Sequence, residues 1–490
     1  MRQKLIDKTK PQVKDALGKN TIVADAISLQ SLLLDSKISK EDWLEGLKYH
    51  SKMLTHLLLN KKMEEFDEYL STQLSSAALK EIDVEKFDAK SPSIDKKGLV
   101  DMDYRPVLQD LLQTAILIEH STIPPYLTAL YSIKDGTNLL ASQIIRSVAI
   151  EEMLHMIMVC NVMNAVSIQP SVNKPQNYPN YPMKLPMNVD FFVGLETFST
   201  NSIATFIAIE SPTNPSIKAP KYDDIEEDPS LLKGAGRKKN CWTLENMKDF
   251  IMTNVHTIGE YYDVLFFYIV VFQIIAYYKA NGKLPQTFDE LNTGGIFTGD
   301  PAKQIRAEQY YGSGGKLHAV EALIGVIDVF EEIKGQGEGA DESIFYVDPS
   351  QFEEGMELAH YFRFKEIFHE HFYLGGNYEP FTDENGMMPI TTPPVGRKLP
   401  VDWSAAHPMK PNPKMADYQS NPQLYAQGKA FNLTYKKLLD AIQAAVEGDA
   451  EQLEKSIIYM YALKEQAVGL MSQPLNAQQN AGPTYEYPAN

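Results

Sequence analysis

The apolar positions of this chain recur with helical spacing over long stretches, and proline-rich tracts separate those stretches. Apolar residues at intervals of three and four place one face of a helix against a core. The pattern predicts helices over about 104–132, 138–166, 243–281, 317–334, 351–372, 428–446 and 449–472. We expect the last two to form a hairpin around residues 448–450, and the protein to be mainly α.

Two tracts interrupt this helical pattern. Prolines recur between Val166 and about Asn240, and again from roughly 375 to 427, and proline inside a helix removes a backbone donor. The first tract is therefore predicted to be a long crossover, with short strands as one interpretation of FFVGLETF and SIATFIAIE at 191–210.

The chain divides by pattern into three parts. Residues 1–100 look helical, with helical spacing over about 40–60 and 63–80, and SPSIDKKG at 91–98 is a plausible linker. A bundle follows over 101–375. The last part, 376–490, is predicted to be a proline-rich loop with a helical hairpin packed on the bundle.

One segment is apolar enough to be weighed as a membrane span. It reads YYDVLFFYIVVFQIIAYYKA at 261–280, but its unbroken apolar run extends only from Val264 to Phe272. A membrane helix needs about 20 predominantly apolar residues. The pattern favours a buried bundle helix, and no membrane association is expected.

Net charge restricts the classes of partner that the sequence favours, and cysteine content restricts the redox compartment. The formal net charge of −18 argues against nucleic acid and anionic membranes as partners. Cys160 and Cys241 are the two cysteines of the chain, too few for a disulfide framework or a cysteine metal site. A reducing, cytoplasmic location is expected, and homo-oligomers are compatible with the sequence.

Acidic residues lie on the apolar faces of four predicted helices. An ionised carboxylate in a core is unfavourable unless a cation or hydrogen-bond donors compensate for it. Glu119 shares a face with Leu112 and Ala115, and Glu260 with Val264 and Phe267. The other two helices each place a Glu and a His three residues apart on the apolar face: Glu152 and His155, then Glu357 and His360.

Four Glu and two His that converge between helices can be satisfied together by two divalent metals. Ferritin-like dimetal carboxylate proteins have this ligand pattern: two helices supply one Glu each, and two others supply a Glu-x-x-His pair each. Imidazole and carboxylate ligands without thiolate suit iron or manganese. The sequence therefore predicts a ferritin-like four-helix bundle, with additional helices at both ends, that binds two iron ions, with manganese as the other option.

Several alternatives stay open at the level of sequence. Glu151 is a rival of Glu152, and Glu366/His369 form a third Glu-x-x-His pair. Arg363 could bind a substrate carboxylate or make a structural ion pair, and the ion pair is favoured. The Pro124–Pro125 pair predicts a kink in the first helix or its end.

The chain also resembles a known family through particular motifs. LLQTAILIEHSTIPPYLTALYSI at 111–133 and IRSVAIEEMLHMIMVCNVMNAV at 145–166 are similar to the ferritin-like domain of the iminophenyl-pyruvate dimer synthases, the coupling enzymes of violacein and rebeccamycin formation. FIAIESP, TIGEYY, QGEG and HYFRFKEI extend the resemblance, as do FNLTYKKLLDAI and AGPTYEY near the end. Those synthases carry a large additional N-terminal region that is replaced here by about 100 residues.

The resemblance implies oxidative coupling of imines derived from aromatic α-keto acids. We expect a dimetal oxidase or oxygenase whose partners are dioxygen and a small organic substrate. Two alternatives belong to other classes: an iron-handling ferroxidase without organic substrate, and a bundle that has lost its metal. Long insertions between the helices suit an enclosed pocket better than a storage cage.

Overall fold

The computed structural model describes residues 46–51, 53–55, 104–212, 253–283, 285, 287–310, 315–338, 358–373 and 393–488. Its helices follow in chain order: α1 Arg105–Ser132, α2 Leu139–Ala165, α3 Thr200–Ile209, α4 Ile258–Asn281, α5 Phe288–Asn292, α6 Leu323–Glu338, α7 His360–His369, α8 Pro422–Val446 and α9 Gln452–Met471. The described ranges contain isolated β-bridges and no β-strand. The predicted mainly α fold, with a long crossover and extra helices at both ends, is confirmed.

The two long N-terminal helices form the frame of the bundle. They pack chiefly against each other, and α4, α7 and α9 pack on this pair. Helix α4 also packs against α6, while α8 and α9 form the predicted hairpin. Residues 46–51 and 53–55 are helical, within the predicted 40–60 range, whereas the helix predicted over 63–80 lies outside the described residues.

Helix α1 continues through Pro124 and Pro125 rather than ending there. Each proline lacks the N–H that would bind the carbonyl four residues earlier. Tyr181 donates its hydroxyl to one of these carbonyls, that of Ser121, at 2.8 Å. A side chain from the crossover therefore satisfies a backbone group that the proline leaves without its helical partner.

The expectation of a strand at SIATFIAIE is wrong, because these residues form most of α3. A short continuous apolar run does not distinguish a buried strand from a buried helix by periodicity. The helix begins at a capping box in which Ser199 accepts from the Ser202 backbone N–H and Ser202 accepts from the Ser199 backbone N–H. This cap satisfies the first free donors of the helix, and its apolar residues pack against α7.

The first residues of α8 and α7 differ from the predicted ones because local capping and backbone conformation set where each helix begins. Helix α8 begins at Pro422, inside the tract predicted to be non-helical, because proline is compatible with the first turn and Asn421 caps the Gln423 and Leu424 N–H groups. Helix α7 begins at His360, after an extended Ala359. The predicted start of that helix near 351 lies outside the described residues.

Helices α2 and α4 are long and apolar enough to cross a membrane by length and composition alone, but 94% of the most apolar part of each is buried inside the protein. Such burial is typical of core helices. It matches the interpretation of residues 261–280 as a bundle helix.

Candidate metal centre

Five buried side chains form two overlapping groups of metal-type ligands. Glu119, Glu152 and His155 make the first group, and Glu152, Glu210 and His360 make the second. Within each group one ligand atom per residue lies within 4.8 Å of the others. Every member is at most 3% exposed. Glu152 belongs to both groups, so its carboxylate is the element that they share.

The distances around Glu152 define the two halves. His155 Nδ1 lies 3.4 Å from Glu119 Oε2 and 3.5 Å from Glu152 Oε1. His360 Nδ1 lies 3.0 Å from the same Glu152 oxygen and 3.5 Å from Glu210 Oε2. The imidazole rings are nearly parallel, with centroids 5.6 Å apart. Both histidines thus present Nδ1 toward the shared carboxylate.

Four elements supply these side chains. Glu119 comes from the middle of α1, and Glu152 and His155 from one face of α2. Glu210 is the residue that ends α3, and His360 is the first residue of α7. Because α3 packs against α7, the two ligands of the second half come together only through a tertiary contact.

Each carboxylate also accepts a hydrogen bond from a buried hydroxyl group. Tyr262 of α4 donates to Glu119 Oε1, and Tyr126 donates to Glu210 Oε1. Thr122 Oγ1 lies 2.7 Å from Glu152 Oε2. These donors orient one oxygen of each carboxylate and leave the other directed toward the imidazoles.

The outer nitrogen of each imidazole has its own partner, and the partners differ in charge. His155 Nε2 donates to the Gln336 side-chain oxygen at 2.7 Å. His360 Nε2 donates to Glu151 Oε2 at 2.6 Å. Arg363 holds Glu151 with two hydrogen bonds, of 2.7 and 3.1 Å. Such outer partners fix the tautomer and ring orientation of metal-binding histidines.

The pKa values show how the group balances its charge. Burial would lower the pKa of His360, but Glu210, Glu151 and Glu152 raise it to about 10. Burial likewise opposes the charged form of His155, yet Glu119 and Glu152 raise its pKa well above the ordinary value. Without metal, protons on these imidazoles therefore supply the positive charge that the carboxylates require.

The pKa values of the three carboxylates shift in different directions: that of Glu152 is lowered, and those of Glu119 and Glu210 are raised. Burial raises the pKa of Glu152, but the two adjacent histidines outweigh burial and hold the pKa below its ordinary value. Burial, opposed by His155, raises the pKa of Glu119 to about 7. Burial and the nearby Glu152 charge raise the pKa of Glu210.

The donor set fits a pair of divalent metals. His360 Nδ1 is buried without a hydrogen-bond partner, although Glu152 Oε1 is 3.0 Å away. A buried polar atom without a partner is costly unless another ligand satisfies it. Carboxylate and imidazole donors without thiolate match iron or manganese, since Cys160 is not a member of either group.

Four of the six residues predicted as ligands come together: Glu119, Glu152, His155 and His360. The prediction of Glu260 is not matched, because this residue is in neither group. It lies in the first turn of α4, where Oε2 accepts from the His256 backbone N–H and Oε1 pairs with Lys48. Glu357 lies outside the described residues.

Glu210 is the member of the two candidate ligand groups that the sequence prediction missed. It ends an apolar run whose pattern is compatible with a strand, and it has no Glu-x-x-His spacing to mark it. The Ser199/Ser202 capping box before that run is the signal that could have identified a helix. A predicted apolar helix that ends in an acidic residue would have marked Glu210 as a candidate ligand.

The rival residues have other roles. Glu151 binds Arg363 and the outer nitrogen of His360, so the predicted ion pair of Arg363 is observed. Glu366 accepts from the Tyr373 backbone N–H, and His369 is exposed. The third Glu-x-x-His pair does not join either ligand group.

Comparison with known proteins identifies the family. Residues 112–369, more than half of the chain, match the ferritin-like family. The protein therefore belongs to the ferritin-like family, as the helix pattern and the ligand spacing indicated.

A match was also found to the solved structure of a ferritin like protein from Caulobacter vibrioides. The sequence identity is 18%, the similarity covers 78% of this chain and 98% of that chain, and the TM-score is 0.40. No curated protein matches this sequence.

Proposed function

We propose that this protein is a di-iron carboxylate oxidase or oxygenase that acts on a small organic substrate. The observation that carries the proposal is the pair of ligand groups sharing Glu152, with His360 Nδ1 buried and without a hydrogen-bond partner. The resemblance to the iminophenyl-pyruvate dimer synthases favours an amino-acid-derived imine as the substrate and oxidative coupling as the reaction.

The protein residues would hold one metal between Glu119 and His155 and the other between Glu210 and His360, with Glu152 shared. A bound pair of iron ions supplies the electrons that reduce dioxygen. Tyr262, Tyr126 and Thr122 would keep the carboxylates oriented by donating to their outer oxygens. Burial of the whole group keeps bulk water away from the ligands.

Metal analysis tests the first part of this proposal. Protein purified without chelators should contain about two equivalents of iron or manganese per chain, since ligand identity and number set occupancy. Less than about 0.2 equivalent after reloading with ferrous iron under anaerobic conditions would contradict a dimetal site.

Oxygen consumption tests the second part. The reduced, iron-loaded enzyme should consume dioxygen faster when an imine made from an aromatic α-keto acid and ammonia is added. A ferroxidase would instead oxidise added ferrous iron over many turnovers without an organic compound. That second result, with mineral accumulating in an assembled shell, would replace the enzyme by an iron-handling protein.

A further inference from the structure

A cavity lies on the other side of α2 from the candidate metal ligands. It has a volume of about 530 Å³ and lies between the α1–α2 pair and the α8–α9 hairpin. None of the five metal-type ligands lines it. Its size is in the range of small-molecule sites, which are commonly about 300 to 1,000 Å³. The cavity is therefore large enough for an organic ligand of its own.

The floor of this cavity is aliphatic. Buried side chains from four helices, α1, α2, α8 and α9, line it, among them Leu127 and Ile157 on one side and Leu438 and Ile442 on the other. Burying one methylene group contributes about 0.8 kcal/mol, which is roughly a four-fold change in affinity. An extended alkyl chain is the chemistry that this floor would select.

The rim has the opposite character. Lys134, Arg146 and Lys464 lie at the exposed border of the cavity, with Asp135 as the acidic residue among its lining side chains. Within the part of the chain that the structure describes, neither Arg146 nor Lys464 forms an ion pair or a side-chain hydrogen bond. This cationic border is unusual for a chain whose formal net charge is −18.

Two large apolar residues at this border are also exposed to solvent. Leu139 is 65% exposed and Tyr461 is 73% exposed, and both line the cavity. Exposed apolar surface next to a concave site is typical of ligand-binding regions. A ligand that extends out of the cavity would cover these side chains.

We propose that this cavity binds a single-chain amphiphilic carboxylate, that is, a free fatty acid. The alkyl chain would lie on the aliphatic floor between α2 and the α8–α9 hairpin. The carboxylate would lie at the rim, where Arg146 and Lys464 can donate charge-assisted hydrogen bonds to it. The site is separate from the proposed dimetal chemistry and does not depend on it.

Calorimetric titration of the full chain with dodecanoate, below its micelle-forming concentration, tests the proposal. We expect one equivalent of dodecanoate to bind. In the shorter series from undecanoate to octanoate, affinity should weaken about four-fold for each methylene removed. Dodecyltrimethylammonium should bind at least about ten-fold more weakly, because the rim is cationic. Equal affinity for the two head groups would overturn the assignment of a carboxylate site.

Charge reversal at the rim supplies the matched variants. The double variant Arg146→Glu/Lys464→Glu changes two exposed side chains and should weaken dodecanoate binding at least about five-fold. Lys455→Glu, on the same helix α9 but outside the cavity lining, should bind like the unchanged protein. Equal loss in both variants would show a long-range charge effect and contradict the site.

A filling variant tests the location. Ser456 is buried and lines the cavity, so Ser456→Phe should abolish binding while Ser456→Ala should not. Thermal melting identifies a variant that fails to fold, and the rim variants then decide the question. Association with phosphatidylglycerol vesicles, without dodecanoate binding, would indicate a lipid surface and overturn the proposal of a free fatty acid.

Discussion

The two halves of the candidate metal centre share the Glu152 carboxylate, but different partners support their histidines. In the first half, a neutral amide, Gln336, accepts from the outer nitrogen of His155. In the second half, the acceptor for His360 is the Glu151 carboxylate, which Arg363 holds in turn. A carboxylate partner increases the basicity of a histidine ligand more than an amide does. We therefore expect the second half to bind its metal more tightly.

The two halves also differ in how the chain builds them. The first half joins two long helices, α1 and α2, that are adjacent in sequence and packed along their length. The second half joins the end of a ten-residue helix to the first residue of α7. The contrast shows that two similar ligand groups can depend on local pairing in one case and on long-range packing in the other.

Loss of the shared ligand should have the largest effect. Glu152→Ala removes a carboxylate from both groups, so metal content should fall from about two equivalents to below about 0.2 per chain. Elemental analysis after anaerobic loading measures this, with circular dichroism as a check on folding. Retention of one full equivalent would show that Glu152 serves only one half.

Loss of the second imidazole should remove one metal selectively. His360→Ala should leave about one equivalent, held by the first half, whereas His369→Ala on the exposed end of α7 should leave two. The two variants change the same residue type on one helix, so they form a matched pair. Greater loss in His369→Ala would move the site along the helix.

Neutral substitutions can decide between Glu210, at the end of α3, and Glu260, in the first turn of α4, as the ligand. Glu210→Gln removes an anionic ligand from the second half and should weaken that metal by about 10- to 100-fold or more. Glu260→Gln should leave metal binding unchanged, because its carboxylate is bound to Lys48 and the His256 backbone N–H. Competition with a chromogenic chelator gives both affinities. The reverse order would restore Glu260 as the ligand.

The outer partners test the comparison between the halves directly. Glu151→Gln should weaken the second metal by about 10- to 100-fold, and Gln336→Leu should weaken the first by less. Because Glu151→Gln leaves the buried Arg363 without its carboxylate, thermal stability must be measured in parallel. Equal effects on the two metals would mean that the charge of the outer partner is unimportant.

Metal binding should depend on pH in a direction set by the histidines. The pKa of His360 is raised to about 10 and that of His155 is also raised, so both carry protons at pH 7 without metal. Metal must displace them, and affinity should fall by up to about ten-fold per displaced proton for each pH unit lowered between 8 and 6. Loading in weakly buffered solution should release protons, and constant pH on loading would contradict this balance.

Long periodic helices made much of the fold predictable. The apolar stripes of α1 and α2 fixed their limits to within a residue or two, and the faces of Glu119, Glu152 and His155 follow from those stripes. The family match and the helical structure confirm the predicted ferritin-like class. The predicted division at residues 100 and 375 stays a prediction.

The structure departs from the predicted ligand set at Glu260, where the position within the helix matters more than the face. Glu260 shares an apolar stripe with Val264 and Phe267, but it lies in the first turn, where its carboxylate accepts the free N–H of His256. An acidic group there also interacts favourably with the helix dipole. The stripe alone could not reveal that this carboxylate was already bound.

The sequence by itself determined the long helices and the spacing of Glu and His on their buried faces, and so indicated a candidate site made of oxygen and nitrogen ligands. Only the tertiary structure decided which carboxylate completes the second half. Glu210 and His360 are 150 residues apart, and the packing of α3 against α7 brings their side chains to 3.5 Å. Periodicity records which face of a helix is buried, but it contains no information about which distant helix that face will meet.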